Sequence, residues 1–293
     1  MIAFPWCVSR CTRIVVFTVM LLAATAGSAR AQASDPNPGA VTLTTGVDFP
    51  SVYFFRGIRQ ETEPKLTMFA FGDVGIAFSR ATLNFGVWNS LHTGTSGSDG
   101  PGPIHYEEDF YASLSIAAGS SVTVTPMFTA YTSPNGLFRT VKEVSFKVAH
   151  ASKFAPYGLV AIELGGDDSG QADSGFLLAG GGNRGAYLEL GVGPSWPLAE
   201  GKATVAIPVK LGLSLKDYYE HPVTGEDEKF GYADVGVLFT VPFTGVPSQF
   251  GSWNLHGGVN FLALGDTTKA FNAPDGDPKG GQVIGSIGIG LSY

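Results

Sequence analysis

Beyond residue 40 the apolar residues of this chain recur at every second position, in runs of about ten residues. From Ala203 the odd positions read Ala203, Val205, Ile207, Val209, Leu211, Leu213 and Leu215, with Thr204, Lys210, Ser214 and Lys216 among those between. Val235, Val237, Phe239, Val241 and Phe243 repeat the alternation, and so do Val283, Ile287, Ile289, Leu291 and Tyr293. A period of two is the signature of a strand with one apolar and one polar face, and ten tilted residues match the span of a bilayer's hydrocarbon. No amphipathic helix interrupts the pattern. Twelve segments follow from it: about 41–58, 65–79, 81–91, 105–117, 122–131, 139–149, 156–165, 185–196, 203–216, 230–243, 253–264 and 282–293.

Alternation alone also fits a soluble sandwich. The connections argue against one. Short links (Arg80, Ala118–Ser121, Ser152–Ala155, Pro197–Lys202, Thr244–Ser252) alternate strictly with a set holding the long polar or glycine-rich ones (His92–Pro103, Gly166–Arg184, Asp217–Glu228, Gly265–Gly281). An up-and-down barrel sorts its loops this way, with long loops outside, short turns in the periplasm and both termini at the periplasmic end. Phe78, Trp196, Phe243, Trp253 and Tyr293 share the apolar parity of their strands and fall at that same end, as an interfacial aromatic girdle would. The fold class expected is all-β: a single up-and-down transmembrane β-barrel of about twelve antiparallel strands.

The start of the chain follows a different rule. Arg10 and Arg13 precede a short apolar run, Ile14 to Ala24, and small residues at Ala29, Ala31 and Ala33 offer cleavage sites. This is the secretory pattern, and the run is too short to span as a helix. Residues 1–33 are therefore expected to be a cleaved leader and 34–293 the barrel. Cleavage removes Cys7, Cys11 and three arginines, so the mature chain has no cysteine and its net charge moves from −7 to −10. That excludes a disulfide-stapled secreted domain. An acidic chain without basic clusters is also a poor nucleic-acid binder.

Tyr53-Phe54-Phe55-Arg56-Gly57-Ile58-Arg59-Gln60, then Gly86-Val87-Trp88-Asn89-Ser90 and Glu107-Glu108-Asp109-Phe110-Tyr111-Ala112, resemble in order and spacing the landmarks of the TorF-type porin family. The likeness covers residues 45–115 and fades beyond. It implies an outer-membrane barrel with a transport role and no established substrate. Pro50 and an extra apolar residue depart from the family's acidic lead-in and leave the register of strand one open. The last strand, with Ile289 and Leu291 alternating and Tyr293 terminal, is similar to the signal read by the barrel assembly machinery, although phenylalanine is the more usual last residue.

If the apolar parity faces lipid, the other faces the lumen, because Lys or Arg at the bilayer midplane costs about 2–4 kcal/mol. That address goes to Asp73, Glu107, Asp109, Glu143, Lys147, Glu163, Glu189, Lys210, Lys216, Asp234 and His256, with Arg56 joining them. The wall is mildly anionic and would favour cations weakly. Twelve strands lie between filled and open barrels, so the same charges suit a narrow pore for small hydrophilic solutes or a packed lumen in a structural or interaction barrel. Arg56 is either a constriction residue or a fixed ion pair, with Glu107 or Asp109 as plausible partners. Gly166–Arg184, long and glycine-rich, is the best candidate for a lumen plug.

Other chemistry is thin. His150-Ala151-Ser152 superficially resembles the His-x-Ser pair of lipid A deacylases, but it falls on a periplasmic turn and Lys153 follows where that pattern continues with asparagine. No enzymatic role is expected. Gly180-Gly181-Gly182-Asn183-Arg184-Gly185 fits G-x-G-x-x-G without the helix that gives the string its meaning. The acidic clusters Asp167-Asp168-Asp173, Glu226-Asp227-Glu228 and Asp275-Asp277 lack a defined ligand spacing. No cofactor or metal is expected. The partners are outer-membrane lipid and lipopolysaccharide, the assembly machinery during biogenesis, and small solutes.

Overall fold

The computed structural model describes residues 39–96, 104–164, 184–272 and 279–293. The expected leader, the plug candidate Gly166–Arg184 apart from its last residue, most of the glycine string and two of the acidic clusters lie outside them. The described chain forms a closed antiparallel barrel of twelve strands. In chain order these are β1 (Val41–Pro50), β2 (Thr67–Ala77), β3 (Ala81–His92), β4 (His105–Ala117), β5 (Val122–Thr132), β6 (Val141–His150), β7 (Tyr157–Glu163), β8 (Ala186–Val192 and Ser195–Leu198), β9 (Ala203–Ala206 and Val209–Lys216), β10 (Phe230–Pro242), β11 (Ser252–Leu264) and β12 (Gly281–Ser292). Each pairs with its sequence neighbours, and β1 closes on β12 from Thr44↔Ser292 to Pro50↔Ser286. Beyond the ladder, Leu43 and Tyr293 exchange both backbone hydrogen bonds.

The expected sorting of connections holds. Links 118–121, 199–202 and 243–251 lie at the end with the termini, and 51–66, 217–229 and 265–280 at the other. Two long segments are broken. Gly193-Pro194 splits β8 and Ile207-Pro208 splits β9, because proline has no N–H to give the ladder.

The two faces separate as the alternation requires. Val235, Val237, Phe239 and Val241 of β10 are 41–48% exposed, whereas Asp234 of the same strand is 3% exposed. Phe85, Phe110, Phe128, Phe146, Leu190 and Phe261 extend the apolar outer surface around the barrel. Phe78, Phe243 and Tyr293 are exposed at the terminus-bearing end, with Trp196 and Trp253 half-exposed beside them.

The inner face needs room at the closing seam. Asp48 of β1 reaches over β12 to His256 of β11, Oδ1 to Nε2 at 2.6 Å, and the imidazole Nδ1 meets Asn254 Oδ1 at 2.8 Å. Both pass above Gly288, where a Cβ would stand 2.0 Å from Asp48 Oδ1 and 2.4 Å from His256 Nε2. It would also lie 2.9 Å from the Val47 carbonyl, which cannot move without breaking the β1–β12 ladder. Gly288→Val is therefore expected to destabilise the barrel by about 1–3 kcal/mol or more. The check is the urea midpoint of refolding followed by heat-modifiable gel mobility; an unchanged midpoint would contradict the crossing.

Candidate functional site

The chain does not run straight from β1 to β2. After Pro50 it turns into the barrel and forms a hairpin of its own, Phe54–Phe55 against Ile58–Arg59. The expected first strand, 41–58, is therefore too long by eight residues, and the Tyr53–Gln60 motif is not wall. The sequence explains the departure. Arg56 and Gly57 form the two-residue turn, with φ of 48° and 84°, the pair of positive values that defines the tight hairpin turn of type I′. Glycine takes that conformation freely, whereas arginine pays about 1–2 kcal/mol for it. Beyond the hairpin, Glu61–Glu63 pairs with Thr95–Ser96.

Both hairpin faces are covered. Tyr53 and Phe55 pack with Phe69, Trp88, Tyr106 and Phe138. Val52, Phe54 and Ile58 turn the other way, onto Tyr187, Tyr218, Tyr219, Tyr232, Leu262, Leu264 and Ile284. The wall residues among them sit near the strand ends remote from the termini, so the hairpin fills that half of the lumen. Glu61 fixes its base by accepting the Tyr53 N–H at 2.8 Å and the Thr67 hydroxyl at 2.6 Å. Burial raises the Glu61 pKa above its ordinary value, and these donors offset only part of the rise.

Arg56 anchors the tip. Its guanidinium makes two parallel bonds to Glu143, 2.7 and 2.9 Å, and donates to Tyr218 Oη at 2.9 Å. It lies 4.2 Å from the Tyr187 ring centre, within cation–π range. Burial lowers the arginine's pKa, but Glu143, Tyr218 and Tyr131 together outweigh burial and raise it well above the ordinary value, so the charge is held. The partner is thus Glu143 on β6. Glu107 and Asp109, the partners expected from the sequence, are buried on β4, where Glu107 lies beside Tyr53. The misassignment follows from placing Arg56 on the wall rather than on a turn that reaches across the lumen.

The other half of the lumen has a polar wall, in which Asp73, Lys147, Lys210 and Asn260 are half-exposed and Asp234 and Glu189 buried. Lys210 pairs with Asp234 at 3.2 Å, and Asn260 donates to both oxygens of Asp234 at 2.7 and 2.9 Å. Glu189 accepts hydroxyls from Tyr157, Tyr187 and Tyr232 at 2.7–3.0 Å, and Lys147 lies 4.4 Å from the Tyr157 ring centre. Asp73 bonds Tyr111. Glu163 accepts the Gly185 N–H at 2.8 Å near the opposite rim. Between hairpin and wall lies a cavity of about 60 Å³ lined by Arg56, Lys210, Tyr232, Asp234 and Asn260, room for a few waters.

Of the expected lumen residues, Lys216 is misplaced. Its side chain is 74% exposed and pairs with Asp217, because a bulge opposite Ala186–Tyr187 carries it past the rim. Asp48 belongs in the set and escaped it. Its position two residues before Pro50 lay within a strand of uncertain register. Tyr218 and Tyr219 were missed too, since they sit in an outer connection that folds back inward. His150 and Ser152 are exposed on a turn at the terminus-bearing end. Asp227 of the acidic loop is held by Ser214 and Lys229. Among the described residues no three metal-ligating side chains stand together.

A closed barrel with an even strand number, both termini at one end, an apolar outer surface and charges turned inward is built for one setting. The chain is an outer-membrane β-barrel. No protein-family model and no curated protein matches its sequence. Among solved structures it is similar to the COG4313 outer membrane channel from Pseudomonas putida F1, at 10% identity over 90% of this chain and 100% of that one, TM-score 0.49. It is also similar to the NanC porin (13% identity, 85% of this chain and 98% of that one, TM-score 0.45) and to LpxR from Salmonella typhimurium (9%, 85% and 99%, TM-score 0.43). The barrel assignment stands on the closure and the outer surface, independent of these likenesses.

Proposed function

We propose that this barrel, exported by its leader, is a narrow channel for passive diffusion of small hydrophilic solutes, constricted by the hairpin at Arg56 and weakly cation-preferring. The observation that carries the reading is the contrast between the two halves of the lumen. One is a polar wall of ionisable side chains, Asp73, Lys147 and Lys210 half-exposed among them, and the other is narrowed by a segment that belongs to a connection rather than to the wall. Among lumen-facing groups the acids Asp48, Asp73, Glu107, Asp109, Glu143, Glu163, Glu189 and Asp234 stand against Arg56, Lys147 and Lys210, an imbalance that favours cations. Motif order and spacing support membership in the TorF-type porin family, whose implied role is transport.

Pure protein in planar bilayers should give small discrete conductance steps and, in a KCl gradient, a reversal potential of the cation-selective sign. Asp73→Asn should move that potential toward zero while leaving the fold intact. A second reading is a closed structural barrel. It draws support from the packing on both hairpin faces, and a complete absence of steps would favour it. Catalysis has no such support, because His150 and Ser152 lie exposed on a turn; cleavage of labelled lipopolysaccharide by the pure protein would reverse that judgement.

A further inference from the structure

The hairpin tip is held by side chains of the outer connections as well as by the wall. In the connection from β11 to β12, the short helix α1 (Asp266–Phe271) is followed by Asn272, which is buried. The Asn272 carboxamide accepts the Arg59 N–H with Oδ1 at 2.7 Å and donates from Nδ2 to the Gly57 carbonyl at 2.7 Å. One side chain thus supplies the donor and the acceptor that a neighbouring strand would give. From the connection between β9 and β10, the Tyr219 hydroxyl donates to the Arg56 carbonyl at 2.9 Å.

Asn272 is itself fixed. Its N–H is shared between the Thr268 and Lys269 carbonyls at the end of α1. Thr268 is fully buried and donates its hydroxyl to the Gly231 carbonyl, which ties α1 to the start of β10. Phe271 packs on the same apolar cluster as Ile58 of the hairpin.

We propose that Asn272 is the positioning residue of the constriction: through its carboxamide the outer connection before the last strand keeps the hairpin in the lumen, and loosening it opens a wider conducting state. This rests on the channel reading. Its logic is that the hairpin's own ladder is only two pairs long, so two further backbone bonds are a large share of what orders it. The barrel strands make none of their ladder bonds through Asn272.

The experiment uses the full-length protein reconstituted in lipid, with Asn272→Ala and Asn272→Asp. The aspartate keeps an acceptor for Arg59 and loses the donor to Gly57. Lys269→Ala, a half-exposed position that pairs with Asp266 on the same helix, is the control. Hydrogen exchange at residues 54–59 is expected to speed up about tenfold or more in Asn272→Ala, less in Asn272→Asp, and not at all in the control, with the β10–β12 amides unchanged. Conductance is expected to rise, or to flicker upward, in the same order. Unchanged exchange at 54–59 in both Asn272 variants would overturn the proposal. If Asn272→Ala fails to fold, Asn272→Asp decides alone. Faster exchange with no conductance in any variant or the parent would leave the latch standing and remove the channel. Conductance with unchanged exchange would do the reverse.

Discussion

Replacing residues 52–65 by a short Gly-Ser turn is expected to raise single-channel conductance several-fold. The barrel's closure does not depend on the excised segment: β1 pairs with β2 from Val41↔Ile76 to Asp48↔Phe69 and with β12 from Thr44↔Ser292 to Pro50↔Ser286, all outside it. What excision removes is the content of the lumen, and a twelve-stranded barrel without it is wider than the filled eight-stranded kind. It also uncovers Tyr187, Tyr232 and Leu262. Some loss of stability should accompany the gain, visible as a lower temperature for the shift in gel mobility. A folded variant with parental conductance would mean that the hairpin does not set the narrowest point.

The second large effect is expected for Glu143→Ala. The pair it breaks is buried, with side chains 12% and 3% exposed, and removing one partner of such a pair costs about 3–5 kcal/mol because the other charge is left without its counter-ion. Tyr218 alone cannot replace a carboxylate held by two bonds. The molecule has a cheaper response than keeping an orphaned guanidinium inside. The hairpin can withdraw and let Arg56 reach water, which also relieves its left-handed backbone. The expected readouts are a lower urea midpoint and a larger, noisier conductance. Adding Arg56→Ala to Glu143→Ala should restore part of the midpoint, since no charge is then orphaned. Additive losses in the double variant would show that the two side chains do not act as a pair.

The barrel was legible in the sequence because its rules are periodic and local. Val235 to Phe243 and Val283 to Tyr293 alternate apart from Leu238, Ile284 and Gly285, and the loops sort by length, so strand number and closure follow from counting. The hairpin was not legible by the same rule, since Val52 to Phe55 continues the β pattern past Pro50. A signal was present. Four successive apolar residues suit a strand covered on both faces, as they do at 68–71 and 261–264, the wall segments that the hairpin covers from inside. Lumen addresses such as Glu189 and Asp234 followed from parity, but pairings did not. Arg56 meets Glu143 across the barrel, and Asn272 meets Gly57 across more than two hundred residues of sequence; no local pattern encodes either contact.

Everything functional here depends on the Arg-Gly turn lying inside the barrel. The most direct test places benzoylphenylalanine at position 55, where the native ring lies 5.4 Å from that of Tyr131 on the far wall. After irradiation in lipid, crosslinked peptides should join position 55 to residues 122–132. Crosslinks to lipid, or only to β2 and β12, would place the motif back on strand one and contradict the account.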